Sequence, residues 1–308
     1  MKTRDTVLKQ TTDWQSARWE LEPFSALATL WADTNHPDAS WLLNQAGLRR
    51  EDVAEWSQAE PLHQRALAIA EKSLGQDHPD VATCLNNLAE SLRVMNRLVE
   101  AEPLYRRALV INEQRFGPEH PNVATNLNNL ALVLNNTNRL AEAEPLHRRV
   151  LAIDEQSFGP EHPEVITDLN NLAALLQATN RLAEAEPLLR RALAIAEINF
   201  GPDHPQVALS LNSLAQLLEA TNRLAEAEPI MRRGLAIEEK NRVPDHPYIA
   251  IQLNNLALLL CATNRLAEAE PLYRRALAIA ESSFGPDHPD VANYLNSLAA
   301  CRRWKFTA

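Results

Sequence analysis

The stretch that decides the fold is residues 246–287, HPYIAIQLNNLALLLCATNRLAEAEPLYRRALAIAESSFGPD. Pro247 lacks an N–H and so suits the first position of a helix, where that group would be unpaired, and it biases His246 away from helical dihedrals. Leu253, Leu256, Ala257 and Leu260 follow at i, i+3, i+4 and i+7, one apolar stripe along a helix A that begins near Pro247. Thr263-Asn264-Arg265 breaks the stripe, and asparagine there either takes a left-handed helix-ending conformation or caps the next helix. Helix B then runs from about Leu266 to a C-terminal cap at Gly285, with Pro271 about a turn inside it at the expense of one hydrogen bond.

This unit repeats. His-Pro begins at 36, 78, 120, 162, 204, 246 and 288, always 42 residues apart. Residues 162–203 laid over 246–287 match at 32 of 42 positions. Gly75, Gly117, Gly159, Gly201 and Gly285 stand at one place in five copies and read as caps. A fixed length means that every copy packs on its neighbours in one geometry, as in a solenoid whose core no single repeat could bury. The predicted organisation is an N-terminal helical cap (1–35), six units (36–77, 78–119, 120–161, 162–203, 204–245, 246–287) and a C-terminal capping helix (288–308). The tryptophans at 14, 19, 31, 41, 56 and 304 avoid the middle of the chain, which suits caps over the two end faces, a terminal binding patch being the alternative. Gly234 replaces the Ala or Val of other copies and Val243 replaces the capping Gly, so the fifth unit is the expected soft point.

Composition removes several function classes. The 308 residues carry a net charge of -10, which works against a phosphate backbone or an anionic membrane as main partner. No apolar run reaches transmembrane length, and Met1 to Asp13 lack the apolar core of a secretory signal. Cys84, Cys261 and Cys301, in no paired spacing, fit a reducing cytoplasm.

The helix A apolar positions, the Ala269 and Ala276 sites of close approach and the Tyr273 site together resemble the tetratricopeptide repeat. LNNLALLL at 253–260, AEAEPLYRRALAIA at 267–280 and FGPDHP at 284–289 resemble the 42-residue form found in kinesin light chains and in many bacterial repeat proteins. The resemblance implies an all-α, right-handed superhelical α-solenoid of helix-turn-helix repeats acting as a non-catalytic protein-binding scaffold without cofactors. Only 35 residues precede the repeats, too few for the heptad coiled coil of a motor subunit. No GxxxxGK[ST] phosphate loop occurs, so a nucleotide-binding signalling module of the kind that accompanies similar bacterial arrays would lie on another chain. The rival readings are therefore a sensor arm for an enzyme on a separate polypeptide and a self-associating structural element.

Candidate sites are weighed against the repeat pattern. Equivalent histidines in successive units stand at least a helix spacing apart, about 8 to 10 Å, too far to share one metal ion. His63 and His147 occupy the Tyr105 and Tyr273 site and read as packing substitutes. No cluster of Cys, His and carboxylate breaks the pattern, so catalysis is not expected. The pairs Arg106-Arg107, Arg148-Arg149, Arg190-Arg191, Arg232-Arg233 and Arg274-Arg275 could suggest a nucleic-acid stripe, but a glutamate four residues ahead of each first arginine makes a salt-bridged outer face the better reading. The informative flank is on helix A. One position is Asn in all seven copies (Asn44, Asn86, Asn128, Asn170, Asn212, Asn254, Asn296), although Asn is a poor helix-interior residue. In tetratricopeptide arrays helix A lines the concave surface, where asparagine commonly grips a peptide backbone. By that resemblance Asn86, Asn128, Asn170, Asn212 and Asn254, with Asn87, Asn129, Asn171 and Asn255, are candidate ligand contacts; a ladder bonding repeat to repeat is the other reading. On the same flank Arg93, Asn135, Gln177, Glu219 and Cys261 share one position, so specificity written onto a uniform scaffold competes with drift at exposed sites. Kinesin light chains prefer acidic, tryptophan-containing peptides through basic groove residues; Arg93 is nearly alone, so that preference does not transfer.

Overall fold

A computed structural model describes residues 21–33, 38–286 and 288–307, which form fourteen helices joined by short turns, with no strand among them. Trp14, Trp19, His36 and the side chain of Trp304 lie outside the described residues. A leading helix α1 (Leu21–Asp33) precedes the repeats. The A helices are α2 (Ala39–Asp52), α4 (Pro79–Val94), α6 (Pro121–Asn136), α8 (Glu164–Ala178), α10 (Pro205–Ala220), α12 (Pro247–Ala262) and α14 (Pro289–Thr307). The B helices are α3 (Trp56–Leu74), α5 (Leu98–Phe116), α7 (Leu140–Phe158), α9 (Leu182–Phe200), α11 (Leu224–Asn241) and α13 (Leu266–Phe284). Two compact units, residues 1–157 and 158–308, are each a stack of such helix pairs, all-α and solenoidal throughout.

Both joints of the repeat follow from local chemistry. Each B helix contains the expected internal proline. At its end Gly75, Gly117, Gly159, Gly201 and Gly285 adopt φ of 84° to 98°, which only glycine enters without strain. The histidine of His-Pro then caps the next A helix: Nδ1 of His78, His120, His162, His204 and His246 accepts the backbone N–H two residues on, at 3.1 to 3.3 Å. Its ring stacks on the last aromatic of helix B, as in Phe116 on His120 at 4.7 Å and Phe200 on His204 at 4.8 Å. Where Val243 replaces the glycine, α11 ends earlier, at an Arg242 cap in extended conformation (φ -118°), and Arg242 lies over Tyr248 at 5.0 Å in place of the Phe–His stack.

Between A and B the turn is made by Asn96, Asn138, Asn180, Asn222 and Asn264, all at φ of 57° to 61°. The left-handed residue lets two N–H groups turn back onto the A helix; around Asn138 these are Asn138 to Asn135 at 3.0 Å and Arg139 to Leu134 at 2.8 Å. Ala54 takes the same conformation in the first copy.

The core is the predicted stripe. Val123, Ala124, Leu127, Leu130, Ala131 and Leu134 of α6 are buried, as are Ala143, Val150 and Ile153 of α7. The close-approach alanines, Ala101, Ala143, Ala185, Ala227 and Ala269, are inaccessible in every copy. Outside, Arg106, Arg148, Arg190, Arg232 and Arg274 bond the glutamate one turn earlier, as expected. The second arginine instead staples neighbouring copies. Arg149 reaches Glu113 at 2.7 Å and the Pro118 carbonyl at 2.7 Å, and Arg233 reaches Glu197 at 2.5 Å and the Pro202 carbonyl at 3.2 Å.

The two non-capping glycines behave oppositely. A methyl at Gly234 would meet only ordinary contacts, 3.8 Å from the Ala208 carbonyl and from Leu211 Cβ, whereas one at Gly47 would overlap the His63 ring. Gly234→Ala is therefore expected to stabilise the chain by up to about 1 kcal/mol through backbone entropy and helix propensity. Gly47→Ala should cost about 1 to 3 kcal/mol by overpacking, and adding His63→Leu should recover much of it, because three copies later Ala173 and Leu189 fill the same two sites. Denaturant melts of the single and double variants read both effects.

Candidate functional site

In the first unit the A-helix flank forms a solvent-open groove of about 630 Å³ between α4 and α6, walled by Thr83, Asn86, Asn87, Glu90 and Arg93 on one side and by Thr125, Asn129 and Leu132 on the other. Four of the sequence-selected residues, Asn86, Asn87, Arg93 and Asn129, thus meet in one place. At its floor a chain of amides crosses from repeat to repeat: Asn112 Nδ2 donates to Asn126 Oδ1 at 2.6 Å, and Asn126 Nδ2 donates to Asn86 Oδ1 at 2.8 Å. Asn44 does likewise, its Nδ2 donating to Cys84 Sγ of the next copy at 3.0 Å. At these two rungs the invariant asparagine joins neighbours. Sequence reasoning did not single out Asn112 and Asn126; their signal was joint polarity at two positions where, one period earlier, the chain carries Ala70 and Cys84.

Arg93 is half-buried and engaged. Its Nε and Nη2 donate to the two oxygens of Glu90 at 2.8 and 2.5 Å, and the Tyr105 hydroxyl donates to the same carboxylate at 2.8 Å. The arginine bonds hold the Glu90 carboxyl below the usual carboxylate range, and burial together with that neighbouring carboxylate pushes the Tyr105 phenol up.

In the second unit Asn170, Asn212, Asn254 and Asn255 are half-buried on the equivalent flank, and the Oδ1 atoms of Asn170, Asn212 and Asn254 are buried without a hydrogen-bond partner. Asn128 and Asn171 are also half-buried and engaged in side-chain interactions. The position of Arg93 is occupied elsewhere by Asn135, whose Nδ2 lies 3.0 Å from His147 Nε2, by Gln177 and by Glu219, all half-buried. Glu219 has no ion pair among the described residues, and burial raises its carboxyl.

One expectation is corrected. A cluster of Cys, His and carboxylate does break the repeat, between the first two copies: Asn44 joins Cys84 to His63 Nδ1 (2.9 Å), and His63 Nε2 lies 3.3 Å from Glu51 Oε1, which also accepts from Ser91. These residues are scattered from 44 to 91 in sequence, so spacing alone did not reveal them. Gly47 makes room for the inward ring, where other copies carry Ala. The arrangement is ill suited to nucleophilic chemistry. An amide separates thiol from imidazole, His63 is inaccessible, and burial pushes the Cys84 thiol up. Among the described residues no group of three or more His, Cys, Asp or Glu could hold a metal ion, and no helix is long and apolar enough to cross a membrane.

Glu90 and Glu219 should respond to pH with opposite signs. The depressed Glu90 adds stability above its unfolded pKa, and this is lost as pH falls through the folded value. The raised Glu219 costs stability as pH rises from the ordinary carboxylate value through the folded one. Glu219→Gln should therefore melt higher than the parent at neutral pH, with the gain fading toward about pH 4. Arg93→Glu should lose about 1 to 3 kcal/mol at neutral pH, because it deletes two charge-assisted bonds and faces Glu90 with a like charge. Thermal melts over a pH series test both.

The family model for the tetratricopeptide repeat matches residues 38–113, 80–156, 122–198, 169–240 and 248–304. Nearly identical TPR-like repeats of a Podosopora anserina protein described as a kinesin light chain superpose with a TM-score of 0.61 at 25% identity, covering 67% of this chain and 98% of that one. BtubC (BKLC) from P. vanneervenii gives 0.62 at 23% identity over 71% of this chain and 91% of its own. The apo form of RapI gives 0.61 at 15% identity over 87% and 99%. No curated protein matches the sequence. With its 42-residue register, its helix pairs and these matches over most of its length, the chain belongs to the tetratricopeptide repeat family.

Proposed function

We propose that the chain is a non-catalytic scaffold that holds a peptide or protein partner along the flank of its A helices. The observation that carries this reading is the groove between α4 and α6, where Asn86, Asn87, Arg93 and Asn129 line one open cleft. Its walls come from positions that recur in every copy, so the scaffold can present similar clefts with different side chains. The unpartnered Oδ1 atoms of Asn170, Asn212 and Asn254 support a ligand role in the second unit, whereas the bonded rungs at Asn44 and Asn86 support a structural one. A cytoplasmic setting belongs to the same reading, supported by Cys84 and Cys261, which are buried and in no disulfide.

Peptides selected from a random display library on the full chain provide the test. Replacing Asn170, Asn212 and Asn254 together with Ala should leave the melting temperature unchanged or higher, since no partnered bond is lost and helix propensity improves. Affinity for peptides seated in the second unit should fall by about 1 kcal/mol or more per lost hydrogen bond. Asn87→Ala with Asn129→Ala should do the same for peptides seated in the first. No selectable peptide, or peptides indifferent to both sets, overturns the reading.

A further inference from the structure

Three periods of 42 residues carry the walls of the first-unit groove onto α10 and α12. Thr83, Asn86, Asn87, Glu90 and Arg93 correspond to Leu209, Asn212, Ser213, Gln216 and Glu219, and Thr125, Asn129 and Leu132 to Ile251, Asn255 and Leu258. The backbone positions are the same and the chemistry is inverted. The threonines have become Leu209 and Ile251, which with Leu258 are 42 to 47% exposed. The bonded Glu90–Arg93 pair has become Gln216 and Glu219, so the flank that carries these aliphatic side chains also carries a half-buried carboxylate with no ion pair among the described residues. Two turns earlier on α10, the Oδ1 of Asn212 is unpartnered as well.

Apolar surface exposed on a repeat face is covered by a ligand's apolar side chains, and an unpaired, partly desolvated carboxylate is best completed by a cation that the ligand brings. We infer that the α10–α12 flank is a second, chemically distinct groove that accepts a peptide segment of aliphatic residues carrying one basic side chain, with Glu219 as its specificity-determining residue. This rests on the scaffold reading above and adds the chemistry of the partner. A second copy of this chain is a poor occupant. The chain carries 40 acidic against 30 basic residues, and the arginine rows on the outer faces of α11 and α13 are already bonded to glutamates. The first-unit groove, with its arginine neutralised internally, selects by polar contacts, so the two grooves sort different segments.

The probe is a display library of random peptides of about 16 residues, selected on the full chain and re-measured as synthetic peptides on variants. The expected result is a class of peptides with one Lys or Arg among aliphatic residues whose affinity falls at least about tenfold on Glu219→Gln and on Ile251→Ser. Asn87→Ala with Asn129→Ala should leave this class unaffected. Glu219→Lys should lose it and recover peptides with an acidic residue in its place. Glu219→Gln removes only an unpaired charge, so a melting curve no worse than the parent's ties the loss to recognition. Peptides that respond only to Asn87 and Asn129 would overturn this inference and leave the scaffold reading standing. A Glu219-sensitive class without a basic residue would also overturn it. The absence of any binding peptide would remove both.

Discussion

The left-handed asparagine between helices A and B is the constraint from which the rest of each repeat follows. With φ near 60°, Asn96, Asn138, Asn180, Asn222 and Asn264 reverse the chain in one residue while the N–H groups around them satisfy the last carbonyls of helix A. Other L-residues enter that region only at a cost, and asparagine pays less than most. The turn hands the chain to an arginine at the start of helix B. In that place Arg139 holds Glu142 at 2.7 Å and Glu102 of the preceding copy at 2.7 Å. Arg223 repeats the arrangement with Glu226 at 2.6 Å and Glu186 at 2.7 Å. One backbone conformation therefore sets both the angle within a helix pair and the bond to the pair before it. Isolated surface ion pairs contribute little; here they recur as a network along one face, where register matters more than strength.

Polar groups inside the stack act at the same boundary. Asn112 at the end of α5 and Asn126 in α6 are buried and bonded to each other, and Asn86 completes the chain. Three copies on, Glu238, Gln252 and Asn212 occupy these positions; Glu238 bonds Arg242, while Glu238 Oε1, Gln252 Nε2 and Asn212 Oδ1 have no partner. At two other joints the same positions carry an alanine, Ala70 or Ala196, with a small Cys84 or Ser210. At the bonded Asn112–Asn126–Asn86 joint, matched polarity favours the intended neighbour, because a polar residue docked there against an apolar one would be left buried and unsatisfied.

What was legible in the sequence was whatever lies within one helical turn or one loop. The Pro247 start, the Gly285 cap, the apolar stripe and the Glu102–Arg106 pair are local, and period and propensity suffice to read them. The partners across a joint lie 14 to 40 residues away, so the stapling by Arg149, the rung from Asn126 to Asn86 and the bond from Asn44 to Cys84 emerge only when neighbouring copies are placed side by side. Arg93 shows the same limit in small. As a lone basic residue on a variable position it reads as an exposed specificity site, while its bond to Glu90 and the hydroxyl of Tyr105 bring it halfway inside. The place of each histidine before proline already marks it as lying outside the helix. Their capping bond and their stacking on the preceding aromatic needed the geometry of the whole joint.

The uniform spacing has a genetic meaning. Bonds between neighbours span the same number of residues in copy after copy, so recombination that removes or inserts one 42-residue cassette leaves ends that can close with the old geometry. Each groove, however, is walled by two successive A helices, and excision brings together walls that never met before. Loss of residues 204–245 would set Asn170, Ala174 and Gln177 opposite Ile251, Asn255 and Leu258, exchanging the Glu219 carboxylate for an uncharged amide. If the flank binds a partner as proposed above, copy-number change in such a gene would redraw ligand chemistry in a single step while leaving foldability almost untouched.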